Sequence, residues 1–166
     1  MAEPTGIDPL MQEELVEPFT AAICEVLRNA AGIDAAAAGC ARTKTGNRTH
    51  DMAIFLPLKS DRLESLVLST PASSASELAR RMLPDVADHD DTLIRDCLGE
   101  IANITAGQAK ALLHGSLFHF VFSTPLALSG KERELVPERG ECLALDFQSE
   151  VGPFTLQLWI KPGFFG

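Results

Sequence analysis

One run of polar residues, from Asp96 to Gly107, has a spacing that could serve chemistry. On an α-helix of 3.6 residues per turn, four of its residues fall on one line, called here the polar line: Asp96, Glu100, Asn103 and Gly107. The positions beside this line are mostly apolar, which is typical of a helix packed on a core. Asparagine and glycine both weaken a helix, glycine by roughly 1 kcal/mol relative to alanine, so their place on one exposed line needs a reason. The usual reason is the close approach of another backbone.

The residues alone leave two interpretations of the polar line open. Polar side chains on an amphipathic helix usually face water and have no further role. A carboxylate and an amide one turn apart can instead bind a polar partner, since an amide offers both donors and an acceptor. Lys110, which follows on the exposed side, is interpreted as solvated.

A long helix must carry the polar line. The acidic residues at 88–91 suit the positive N-terminal end of this helix. An earlier helix is predicted over residues 10–31, with Gly32 ending it. Pro18 should start the main part of that helix near Glu17, or kink it, because proline removes a backbone donor.

Strands and one short helix account for the remaining segments. Ser74 and Glu77 have the spacing of a capping box for the short helix, which Pro84 should close. Gly46-Asn47 is a plausible hairpin turn between the first two strands, and Gly152-Pro153 one between the last two. Six strands are predicted, at 35–44, 49–57, 63–69, 117–124, 142–149 and 154–161. The first is a weak prediction because it is rich in alanine, and the fourth is expected to continue at 126–128 with an offset after Pro125.

The predicted order, α-β-β-β-α-α-β-β-β, indicates two similar halves. Glu25, Arg28 and Gly32 in the first helix recur at the intervals of the last three residues of the polar line. We therefore predict an α+β fold of two layers, in which an antiparallel sheet carries the long helices on one face and an αβββ unit is duplicated.

Length and charge limit the kind of protein. A chain of 166 residues is predicted to form one domain over 1–166, with 1–9 as a flexible N-terminal tail. The formal net charge of −9 argues against nucleic acid or an anionic membrane as partner, because both require Lys and Arg to neutralise phosphates. The acidic start of the chain has neither a basic segment nor a long apolar one, so we expect no signal peptide, no membrane span and a cytoplasmic location.

Cysteine and histidine spacing gives no support for a metal site. The four cysteines show no C-x-x-C pair, and the four histidines show no H-E-x-x-H arrangement. We interpret the cysteines as reduced thiols of the core.

The polar line, continued by Gln108-Ala109-Lys110, resembles the active-site helix of the CheX/CheC family of chemotaxis phosphatases. That family's pattern is Asp/Ser-x-x-x-Glu-x-x-Asn with a following Gly. Three further segments resemble family segments, so that the resemblance covers nearly the whole chain: Glu17-Pro18-Phe19, Ala31-Gly32-Ile33, and Ser123-Thr124-Pro125 with Gly130.

The resemblance implies an enzyme that hydrolyses the aspartyl phosphate of a CheY-type response regulator. Asn103 would orient the attacking water, and Glu100 would pair with a lysine of the regulator. The protein would need no cofactor of its own, since the regulator supplies Mg²⁺. Arg28 stands where the first helix would need an amide, so only the second long helix should be competent.

The resemblance also implies contacts with the partner and between copies. Asp96 and Gly107 would contact the regulator, and the small residues Ala102, Thr105 and Ala106 would let the helix enter a narrow cleft. A homodimer joined at sheet edges is expected, with Phe164-Phe165 near the interface. The alternative is a non-catalytic member of the family that docks on a regulator or a flagellar-switch component.

Overall fold

Seven strands form one antiparallel sheet in the computed structural model, which describes residues 11–45, 49–137 and 139–162. The strands are β1 (Ala35–Thr45), β2 (Met52–Lys59), β3 (Leu63–Thr70), β4 (Val121–Phe122), β5 (Leu126–Ala127), β6 (Arg139–Ser149) and β7 (Phe154–Ile160). The helices are α1 (Glu17–Ala31), α2 (Ala72–Met82) and α3 (Asp91–Leu112), and there are short helical turns at Gln12–Val16 and Gly130–Leu135. The predicted tail at 1–9 and the Phe164-Phe165 end lie outside the described residues.

The strand order repeats itself about the centre of the sheet. β3 and β7 form the central pair, with β2 beside β3 and β6 beside β7. The outer positions are exchanged between the halves, because β1 pairs with β6 whereas β4 and β5 pair with β2. Each half thus contributes a long helix and its strands in the same arrangement. The predicted α+β class with an antiparallel sheet is confirmed, and its symmetry fits the predicted duplication.

The helices pack on one face of the sheet. Alternate strand residues, such as Ile54, Leu66 and Leu156, join apolar helix residues in the main core. The stacked rings of Phe19 and Phe120, with centroids 5.9 Å apart, connect α1 to the segment before β4. Removing one such side chain from water stabilises the fold by about 1.5–3 kcal/mol. The opposite face of the sheet carries a smaller cluster in which no helix residue takes part, among the residues described.

Local signals place the helix ends correctly. The α-helical part of the first helix begins at Glu17 with Pro18 in its first turn, as predicted. Gly32 ends it in the left-handed conformation, φ +63°, and its N–H donates to the Arg28 carbonyl at 2.9 Å. At the start of α3, the Asp90 carboxylate accepts a hydrogen bond from the Leu93 N–H at 2.8 Å.

The predicted capping box of α2 is wrong. The helix begins at Ala72, after Pro71, and the Ser74 side chain is buried inside it. The Ser74 hydroxyl donates to the Val151 carbonyl at 2.6 Å and so anchors the turn between β6 and β7. Glu77 forms ion pairs along the helix with arginines one turn later. The Ser74 side chain therefore forms a tertiary hydrogen bond, although its local spacing had predicted a helix cap.

The predicted hairpin between the first two strands is also wrong. β1 and β2 are not neighbours in the sheet, since β6, β7 and β3 lie between them. The predicted turn, Gly46-Asn47, lies outside the described residues. The strand predicted at 117–124 shortens to Val121–Phe122, because a turn precedes it in which the Ser116 N–H donates to the Leu113 carbonyl.

No helix in the described ranges has the length and apolar character that crossing a membrane requires.

Candidate functional site

Helix α3 forms one wall of an open groove of about 670 Å³. Three of the four residues of the polar line border this groove. The full lining consists of Ile54, Arg95, Asp96, Gly99, Glu100, Asn103, Phe122, Ser123, Thr124, Pro125 and Ala127.

The opposite wall forms where the sheet's hydrogen bonding is interrupted. Phe122 of β4 pairs with Leu58 of β2, and Leu126 of β5 pairs with Phe55. The outer segment therefore uses one more residue than β2 between these two pairs, as in a β-bulge. Pro125 lies within this stretch and has no N–H to donate to β2. Residues 123–125 consequently form a strap between two short strands, and this strap is the wall that faces α3.

The helix side of the groove contains a second line of residues, which joins the polar line at Asn103. Arg95, Gly99 and Asn103 follow one another at intervals of four residues and all border the groove. A Cβ added to Gly99 would lie 3.9 Å from Ile54 Cδ1, an ordinary contact, whereas a longer side chain would extend into the groove. The sequence prediction missed Arg95 and Gly99, because their helical spacing to Asn103 does not by itself show that they border a groove.

Glu100 and Asn103 are accessible to another molecule. The Glu100 side chain is exposed and Asn103 is half-buried. In the part of the chain that the structure describes, neither side chain has a hydrogen-bond or ion-pair partner. Both groups retain their full capacity for polar contacts.

The other residues expected to meet a partner behave differently. Gly107 does not border the groove, and a Cβ there would lie 3.9 Å from Phe122 Cζ of the same chain. The expectation that Ala102, Thr105 and Ala106 face a cleft is wrong, because all three are fully buried. Their small size instead allows α3 to lie close against the core.

The matching helix α1 has a cation at the position of Asn103. Arg28 Nε lies 3.3 Å from Asp34 Oδ1, and both side chains are largely exposed. Gly32, which corresponds in spacing to Gly107, ends α1, whereas α3 continues beyond Gly107 to Leu112.

The cysteines do not form a reactive centre. Burial raises the pKa of Cys142 to about 12 and that of Cys40 to about 11, which keeps both thiols protonated at neutral pH. Cys97 is also buried, and burial raises its pKa as well. Within the described parts of the chain, no cluster of three His, Cys, Asp or Glu residues could hold a metal ion.

Comparison with known proteins gives one family match and several structural matches. The profile of the family described as Chemotaxis phosphatase CheX matches residues 52–148. A search of curated protein sequences finds no match. A putative chemotaxis protein from Desulfovibrio vulgaris Hildenborough is similar in structure, with a TM-score of 0.78 and 23% identity over 96% of this chain and 100% of that one.

Two further structures have the same fold. CheX from Desulfovibrio desulfuricans has a TM-score of 0.77 and 23% identity, over 89% of this chain and 99% of that one. A chain of the CheX-CheY-BeF3-Mg²⁺ complex from Borrelia burgdorferi has a TM-score of 0.66 and 19% identity, over 88% of this chain and 97% of that one. At these identities the structural matches establish the fold, and the profile match establishes the family.

Proposed function

Because the chain belongs to the CheX family, we propose that it is a phosphatase that hydrolyses the aspartyl phosphate of a CheY-type response regulator. The observation that carries this proposal is the accessible pair Glu100 and Asn103 beside the groove. The complex of CheX with CheY from Borrelia burgdorferi supports the class of partner. The regulator would be met in the cytoplasm.

The chemistry assigned to Asn103 is the orientation of one water molecule. An acyl phosphate is hydrolysed by in-line attack of water, and the Mg²⁺ and lysine of the regulator neutralise the phosphoryl oxygens. The remaining task for this protein is to hold the attacking water in line with the bond that breaks. The Asn103 amide can accept a hydrogen bond from the water and donate one to the phosphoryl group. A carboxylate in its place would repel the phosphate.

Glu100 has the role of setting how α3 enters the regulator. It lies one turn from Asn103 on the exposed side of the helix, where it can form a charge-assisted hydrogen bond with the regulator's lysine. Such a bond fixes both the depth and the angle of entry. Asp96 borders the same groove and would add a polar contact, and Gly107 remains a predicted partner contact.

The expected acceleration is modest. Placing a single water is worth about 10²-fold, or roughly 2.7 kcal/mol of activation free energy, over the regulator's own hydrolysis. The homodimer joined at sheet edges stays part of the proposal, and its test is the molar mass in solution by light scattering.

The deciding experiment measures the phosphoryl lifetime of a panel of response regulators with and without the protein. The lifetime of at least one regulator should shorten by about 10²-fold. A protein that binds a phosphorylated regulator and leaves its lifetime unchanged would instead be the non-catalytic binder, and the phosphatase proposal would fail.

A further inference from the structure

Arg95 is a cation placed inside the groove beside two carboxylates. Its side chain borders the groove together with Asp96, Glu100 and the strap at residues 123–125. About two thirds of the Arg95 side chain is covered, since its relative exposure is 33%. Among the described lining residues it is the one with a positive charge.

The partner that Arg95 has within the chain is easily replaced. Arg95 Nη2 lies 3.3 Å from Asp91 Oδ2, one turn earlier on α3, and the Asp91 side chain is 78% exposed. Exposed ion pairs of this kind are weak. The guanidinium can therefore exchange this contact for a carboxylate on another molecule, to which it can donate two parallel hydrogen bonds.

The length of α3 separates the role of Arg95 from that of Asn103. Eight residues of helix place their Cα atoms about 12 Å apart, on the same side of the helix. The Arg95 guanidinium lies beside Asp91, one turn earlier on α3, and so extends away from Asn103. In this position it would contact the regulator outside the reacting atoms.

We propose that Arg95 is a specificity-determining residue that pairs with an acidic side chain on the regulator, away from the phosphorylated aspartate. This inference rests on the proposed function. A chain of net charge −9 would repel an acidic regulator at long range, and Arg95 would supply a local attraction at the point of contact. Gly99, between Arg95 and Asn103, leaves the space that the regulator's side chain would enter.

The test compares steady-state dephosphorylation by the wild type, Arg95→Glu and Arg95→Lys. We expect Arg95→Glu to raise KM about tenfold while kcat stays unchanged. The variant would lose a docking contact, but Asn103 would still orient the attacking water. Arg95→Lys should give a smaller increase in KM, since lysine keeps the charge and loses the paired donors. High salt should reduce the difference between wild type and Arg95→Glu.

The matched control is Arg80→Glu. Arg80 is also a helical arginine with an ion pair one turn away, to Glu77 at 2.7 Å, and it does not border the groove. Its KM and kcat should both equal those of the wild type. A change in a regulator carboxylate to lysine that restores the KM of Arg95→Glu would identify the paired residue.

Specific outcomes would overturn the inference. A loss of kcat at unchanged KM in Arg95→Glu would place Arg95 in the chemistry, and unchanged kinetics would remove any role. If the wild type binds a regulator without hydrolysing it, the same variants are compared by the Kd for the regulator bearing beryllofluoride and Mg²⁺. A tenfold rise in Kd would then support Arg95 while the phosphatase proposal fails. If the wild type neither binds nor dephosphorylates any regulator, both proposals fail.

Discussion

Helices α1 and α3 hold matching places in the two halves of the molecule and share the spacing of a glutamate, a polar residue and a glycine. They differ in what lies opposite. The strand β1, which follows α1, pairs with β6 from Ala35 to Thr45 with two irregularities. The strands β4 and β5, which follow α3, make only two pairs each with β2 and are divided by the strap. The half that contains α3 therefore differs from the other half in two ways: in the residues of its helix, and in the interrupted strand that borders the groove.

The largest effect is expected when the amide that α3 has and α1 lacks is removed. Asn103→Ala should abolish the roughly 10²-fold acceleration, because it removes the amide that is proposed to orient the water. Binding of the phosphorylated regulator should change little. Phosphoryl lifetime and affinity are measured on the same preparation, and retained acceleration would refute the role of Asn103.

A smaller effect is expected from Glu100→Ala, which removes the acid that α1 also has in Glu25. Affinity should fall by about tenfold and the rate should fall as well, because the helix enters the regulator at the wrong depth. The matched control is Glu25→Ala, which changes the exposed acid at the corresponding position of α1 and should leave both quantities unchanged. Equal effects of the two variants would mean that the halves act alike.

The halves also differ at the centre of the sheet, where Val67 of β3 pairs with Gln157 of β7. Gln157 is 2% exposed, and its Oε1 has no hydrogen-bond partner among the described residues. A buried polar atom without a partner costs about 1–3 kcal/mol, so Gln157→Met should raise the free energy of unfolding by about 1 kcal/mol. Chemical denaturation measures this change.

The control for that prediction is Gln148→Met, at an exposed position on β6. Its free energy of unfolding should change by less than about 0.5 kcal/mol. A clear loss of stability in Gln157→Met would show that the amide has a partner in the folded protein.

The smallest effect is expected from giving α1 the missing amide. Arg28→Asn, introduced into the Asn103→Ala variant, should not restore acceleration, because β1 lacks the strap that completes the groove beside α3. The variant also loses the exposed ion pair to Asp34, which contributes little to stability. Restored activity in the lifetime assay would show that the amide alone makes a helix competent.

Features determined by neighbouring residues could be predicted from the sequence. Gly32 and Pro18 marked the ends of α1 because their backbone preferences act locally. The polar line was also recognisable, since residues four apart on a helix share a side wherever the helix packs.

Features that depend on distant segments could not be predicted. The partner of β1 was assigned to β2 because hairpins are the commonest local pairing, whereas the sheet places β6 there. Ser74 has the spacing of a cap, yet the Val151 carbonyl takes its hydroxyl. Arg95 and Gly99 can be identified as groove residues only from the fold, because Ile54 and the strap form the other side of the groove.

The exchange of outer strands has a consequence for how the molecule assembles. Ala35 pairs with Ser149, which is far away in the chain. The backbone N–H and C=O groups of β1 therefore cannot form their sheet hydrogen bonds until β6 is in place. Neither half would have a complete sheet if it were separated from the other. The first half would lack β4 and β5, which border β2, and the second half would lack β1, which borders β6. Folding of the two halves is therefore expected to be one cooperative event, with the joining of β1 to β6 among the late steps.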